Sequence, residues 1–141
     1  MQKLTNAKLS ESNLHEITHF GIRAAIGAIF IAHGMFKFTP AFAEMLPNMG
    51  LPAEIAIVIA LAELVSGILL IVGVLTRISA SILSIVMLGA IFMVKQASSL
   101  TGEGGYELDL ILLAGCLTII AIGPGKISIS YMAKKIPRIL Q

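Results

Sequence analysis

Five ionisable residues sit inside or against runs of apolar sequence: His33, Lys37, Glu63, Glu107 and Asp109. Together, an imidazole, an ammonium group and carboxylates can relay protons or hold a quinone head group or a small solute. They can equally neutralise one another and lock helices together. An ionisable group turned toward lipid costs at least about 2.5 kcal/mol, so these side chains are expected to point inward and take one of those roles. Glu63 is the leading candidate, because it shares a helical face with Ser66, Gly67 and Leu70. Phe30, His33, Gly34 and Lys37 share a side of the preceding run, and Arg23 and Gly27 continue it. Small residues on such faces let a neighbouring helix approach closely.

Four apolar runs must position these groups, at residues 20–38, 55–75, 78–94 and 110–122. A bilayer core about 30 Å thick needs about 20 residues of helix to cross it. Only helices or closed barrels satisfy their backbone in lipid, and runs of this length predict helices. Counted from Phe20, Leu75 and Ile122, the residues His33, Glu63 and Asp109 lie 12 or 13 residues deep. At 1.5 Å per residue, that places all three about 20 Å from one boundary. The run 110–122 is too short alone, so its helix is expected to continue back through Asp109 and Glu107.

Composition agrees with a membrane chain. The 141 residues are 57% hydrophobic and 13% charged, about half the charge of a soluble domain. The polar start and the length of the first run argue against a cleaved signal sequence and for a retained span. With four spans, both termini share a side. That side holds Lys3, Lys8, Arg23, Arg77, Lys126, Lys134, Lys135 and Arg138, against Lys37 and Lys95 opposite. The bias predicts cytoplasmic termini, with the 39–52 and 96–105 loops outside. Arg23 and Arg77 are then basic residues at the cytoplasmic boundary, where anchoring on headgroup phosphates is the expectation and a role in a site the alternative. Lys95 is expected to snorkel, and Glu54 and Glu103 to be plain surface charges. The basic tail either lies on anionic headgroups as an amphipathic segment or is a solvated topology signal.

Asn13 and Glu16 have capping-box spacing at the start of the first helix. Pro52 reads as the opening of the second span. Cys116 is the single cysteine, so no intrachain disulfide or cysteine-based zinc site forms. Met35, Met45 and Met49 near His33 offer donors that suit Cu(I), but their spacing is not diagnostic and no metal is expected. Nucleotide-phosphate loops, HExxH, CxxC and haem-attachment motifs do not occur.

Four stretches resemble the DoxX family of small membrane proteins. The first is Arg23, Gly27, Phe30 and His33-Gly34-Met35-Phe36-Lys37. The second is Glu63, Gly67-Ile68-Leu69-Leu70, Gly73 and Thr76-Arg77. The third is Gly104-Gly105-Tyr106-Glu107-Leu108, and the fourth is Gly123-Pro124-Gly125 followed by a serine. The resemblance implies an antiparallel bundle of four transmembrane helices, and it places the chain among proteins found with quinol-oxidase or thiosulfate:quinone systems. Some of those proteins are membrane partners of soluble redox enzymes. The polar N-terminal extension and the basic tail depart from the family pattern and suggest docking to a specific partner.

The reading is an all-α membrane protein. Residues 1–19 form a polar extension and helix start, 20–125 the transmembrane domain and 126–141 a basic cytoplasmic tail. Its expected location is the cytoplasmic membrane of a prokaryote. The expected function is that of an accessory subunit of a respiratory or other membrane redox complex, such as an oxidase, monooxygenase or quinone oxidoreductase, with no chemistry of its own. The alternatives are a quinone- or proton-handling subunit acting through the carboxylates, and a carrier of small solutes or lipids. Expected partners are the bilayer and a larger redox protein or further copies of the chain, not nucleic acid. Quinone is the candidate cofactor. The topology predicts that single cysteines at Asn48 and Ser99 react with an impermeant maleimide from outside the cell. Outside labelling at Ser130 would overturn it.

Overall fold

The computed structural model describes residues 13–133 and Pro137. Expectations for residues 1–12, and for Lys134, Lys135 and Arg138 of the tail, lie outside these described residues. The first helix, α1 (Asn13–Lys37), is continuous over 25 residues. Pro40 sets its end: the residue before a proline is pushed out of the helical region, and Thr39 is extended at φ −77° and ψ 147°.

The expected loop that follows is partly helical. It contains α2 (Pro40–Met45) and a 3-10 turn, Leu46–Met49. Pro40 and Pro47 each stand in a first helical turn, where the missing N–H is no loss. Phe42 and Leu46 bury themselves with Ala56 in a small apolar cluster, and this burial is what folds the segment. Pro52 does not open the second long helix. It accepts the backbone N–H of Ile55 in a turn, and α3 runs from there over Ile55–Val72.

Gly73 stops α3 with a left-handed φ of 76°, and its N–H returns to Leu69 O. Leu75, also left-handed at φ 50°, leads into α4 (Thr76–Gly89), which continues as a π-helical turn over Ala90–Val94. The last long helix, α5 (Glu107–Ile122), takes in Glu107 and Asp109 as expected. A short α6 (Ile129–Ala133) follows the Gly123-Pro124-Gly125 break. No strand occurs among the described residues.

Helix α1 packs on α3, α3 on α4 and α4 on α5, while α1 and α5 meet along a looser seam. Phe30, Leu70, Leu83, Cys116 and Ile119 form the apolar centre. The outer faces are apolar too, with Val58, Ile85, Ile111 and Leu117 exposed. Water would penalise that surface; lipid does not. Among the described residues, three helices are long and apolar enough to cross a membrane: Asn13–Lys37, Ile55–Val72 and Thr76–Val94. At 16 residues, α5 reaches about 24 Å.

The tightest contact lies between α1 and α3. A Cβ on Gly27 would stand 2.6 Å from Gly67 O, and one on Gly67 would stand 2.8 Å from Gly27 O. Gly34 meets the α3 backbone at Leu64 N in the same way, at 2.8 Å. Gly89, by contrast, has open space around it. Past Gly125 the chain folds back beneath these helices. Lys126 N donates to the Glu16 carboxylate at 2.6 Å, a long-range contact made by the first turn of α1. Ser128 and Ser130 are buried while Ile127, Ile129 and Met132 are exposed. Because Ser130 is buried, the exposed Lys126 is the better labelling position on that side.

The glycine contact gives a direct test. Gly27→Val or Gly67→Val should lower thermal stability in detergent by the equivalent of about 1–3 kcal/mol, because backbone has no room to yield. Gly89→Ala should leave stability unchanged or raise it slightly. Equal tolerance at all three positions would contradict the close α1–α3 contact.

Candidate intramembrane polar site

Among the described residues, two lysine–carboxylate pairs form, each between different segments of the chain. Lys37, in the last turn of α1, donates to Glu63 Oε1 on α3. The Glu63 side chain is completely buried and the Lys37 side chain is 17% exposed. The Lys37 ammonium also lies 5.4 Å from the centroid of the Phe42 ring, so α2 covers the pair from one side. Lysine at this place suits the negative end of the α1 dipole. Close approach at Gly34 lets the α1 ammonium reach into α3.

The second pair joins the end of the π-helical turn to the start of α5. Lys95 Nζ stands 2.6 Å from Asp109 Oδ2 and donates to Gly105 O at 2.8 Å. Asp109 is buried. The expectation that Lys95 snorkels is thus corrected: the chain folds back after Val94, and Lys95 closes that turn onto α5. Its position just before a loop that returns to a carboxylate-bearing helix was the available signal.

The five-residue site read from the sequence is therefore divided. Lys37 and Glu63 come together as one pair, and Asp109 belongs to the other. His33 is half-buried and stands edge-on to Phe30, with ring centroids 6.5 Å apart. Glu107 is exposed. Glu54 and Glu103 are exposed, as expected of surface charges.

Arg23 needs a larger correction. Instead of reaching a headgroup, its side chain is fully buried. Nη1 donates to Leu70 O at 3.0 Å, Nη2 donates to Ile127 O, and the guanidinium stacks over Phe20. It ties α1 to the end of α3 and to the returning segment 123–130. Glycine at position 73 is required for this: a Cβ there would collide with Arg23 Nη1 and with Ser128. Arg77 is half-buried beside Gly123.

Among the described residues, Glu63 Oε2 is buried without a hydrogen-bond partner, while Asp109 Oδ2, which also makes no hydrogen bond, has Lys95 Nζ 2.6 Å away. A buried ion pair survives only while both partners remain, since one charge left alone costs about 3–5 kcal/mol. Lys37→Met should therefore destabilise the protein strongly, by about that amount, and Glu63→Leu in the same chain should recover most of the loss. Thermal unfolding of the two single variants and the double variant checks this. Additive losses in the double variant would show that the pair does not form.

Comparison with known proteins adds to this geometry. The DoxX family model matches residues 19–96, from the end of the polar segment to just past Lys95. The stretches 104–108 and 123–125 lie outside that match. Over 99 residues the chain is 33% identical to a protein of Bacillus subtilis named "Putative oxidoreductase CatD", covering 69% of this chain and 74% of that one. It is 30% identical over 132 residues to an uncharacterized membrane protein of Mycobacterium tuberculosis, covering 81% and 80% of the two chains. An uncharacterized protein of Haemophilus influenzae is 38% identical over 88 residues, covering 61% and 58%. No solved structure matches the chain.

Proposed function

Because this chain belongs to the DoxX family of membrane proteins, we propose that it is an accessory subunit of a respiratory or other membrane redox complex, without chemistry of its own. The proposal includes an antiparallel four-span arrangement of α1, α3, α4 and α5, with both termini cytoplasmic in a prokaryotic cytoplasmic membrane. It also includes the division into an extension at 1–19, a transmembrane domain at 20–125 and a basic tail at 126–141.

One observation carries the accessory role: the most buried carboxylate of the interior, Glu63, is matched by Lys37 from another helix. The pair holds α1 against α3 and neutralises the charge that would otherwise demand a ligand or a proton. Asp109 is matched by Lys95 in the same manner. The kinship to a protein named as an oxidoreductase supports the redox setting. The positive bias at one face supports the orientation.

A second reading has its own support. Glu63 Oε2 is buried and unpartnered, so the same carboxylate could receive a proton or a quinone hydroxyl. Glu63→Gln separates the two readings. The accessory role predicts that the Gln variant assembles and that the host complex keeps most of its activity, since the amide keeps the shape and still accepts from Lys37. Normal assembly with lost activity would promote quinone or proton handling. Purification in mild detergent should bring down a stoichiometric redox partner. A free protein carrying a quinone, a solute or a lipid would contradict the accessory role.

A further inference from the structure

We infer that the face of α4 and α5 beginning at Arg77 is a binding site for one anionic glycerophospholipid. The headgroup phosphate sits on Arg77 and an acyl chain lies along the helices. This rests on the membrane placement of α4 and not on the accessory role.

A groove of about 450 Å³ is lined by Arg77, Ile78, Ser81, Ile82, Ile85 and Ile120. The α4 residues recur at helical spacing, so they form one stripe from the start of the helix inward. From Arg77 to Ile85 the stripe is about 12 Å long, which suits an extended stretch of acyl chain. Ser81 adds no free polarity, because its hydroxyl donates to Arg77 O at 2.7 Å. The groove is thus apolar along its length and cationic at one end.

Among the described residues, no anion pairs with that end. Among the described residues, nothing accepts a hydrogen bond from Arg77 Nε, although the atom is buried. Neither lysine–carboxylate pair involves Arg77. The start of α4 adds to the positive potential, since its first turn has no acidic residue and no side-chain cap. A cation in the first turn of a helix works against the dipole, so a bound phosphate relieves two unfavourable charges at once. Guanidinium suits phosphate because its fork can donate to two oxygens. Gly123 lies beside the guanidinium: its φ of 85° favours glycine there, and a Cβ would only touch Arg77 Nε and Nη2, at 3.5 Å.

The second groove serves as a comparison. It lies on the α1–α5 seam, has a similar volume of about 410 Å³, and is lined by Ile22, Ala25, Ile26, Ile29 and Gly115 among others, with no charged group. Lipid chains there would carry no headgroup preference. A net-anionic headgroup is favoured at Arg77 because a zwitterionic one brings its own ammonium into a positive field.

Native mass spectrometry of the full chain, released from nanodiscs of equal phosphatidylglycerol and phosphatidylcholine, tests the site. The wild type should retain phosphatidylglycerol over phosphatidylcholine by about fivefold, the scale of one interfacial cation. Arg77→Gln should abolish the preference, and Arg77→Lys should keep part of it. Ile82→Trp, which fills the groove but keeps the charge, should reduce retained lipid of both kinds. Retention without preference in the wild type, or equal preference in the wild type and the Gln variant, would overturn the site. So would displacement of the bound lipid by soluble glycerol phosphate, or a groove occupied by a second membrane protein.

Discussion

Charge buried in a low-dielectric interior must be matched by an opposite charge or met by hydrogen bonds, and this constraint organises the whole structure. A lone charge in such a place costs a large part of the stability that a fold has. The chain meets the demand in two ways. Glu63 and Asp109 are matched by lysines from other segments. Arg23 is met by backbone carbonyls at the ends of two segments, Leu70 O and Ile127 O. Each solution joins elements that are distant in sequence, so satisfying the charges also fixes which helices touch.

The glycines make these solutions reachable. Gly27, Gly34 and Gly67 let α1 and α3 come close enough for Lys37 to meet Glu63, and Gly73 leaves room for the Arg23 guanidinium. Apolar packing then fills the centre around Phe30, Leu70 and Ile119. The apolar residues left on the outside are consistent with a surface that faces lipid, and they are ordinary only there.

Much of this is legible in the sequence, and the reasons are physical. Long apolar runs can only be helices in lipid, so the element types and the place of Glu63 among small residues follow directly. The inward turn of Lys37 and Glu63 follows from the cost of charge in lipid. What the sequence hides are contacts set by chain reversals. Lys95 reads as a snorkelling boundary residue until the turn after Val94 brings it to Asp109. Arg23 reads as a headgroup anchor until the return of residues 123–130 supplies Ile127 O. The helical fold of Pro40–Met45 depends on Phe42 finding Leu46 and Ala56, a tertiary contact that local proline signals conceal.

The central claim is that Glu63 is held by Lys37 across the α1–α3 contact. Solid-state NMR on the labelled protein in lipid bilayers tests it most directly. The account predicts a through-space correlation between Lys37 Nζ and the Glu63 carboxyl carbon that disappears in Lys37→Met. A Glu63 carboxyl carbon correlated with His33 instead, or with no side-chain nitrogen, would contradict it.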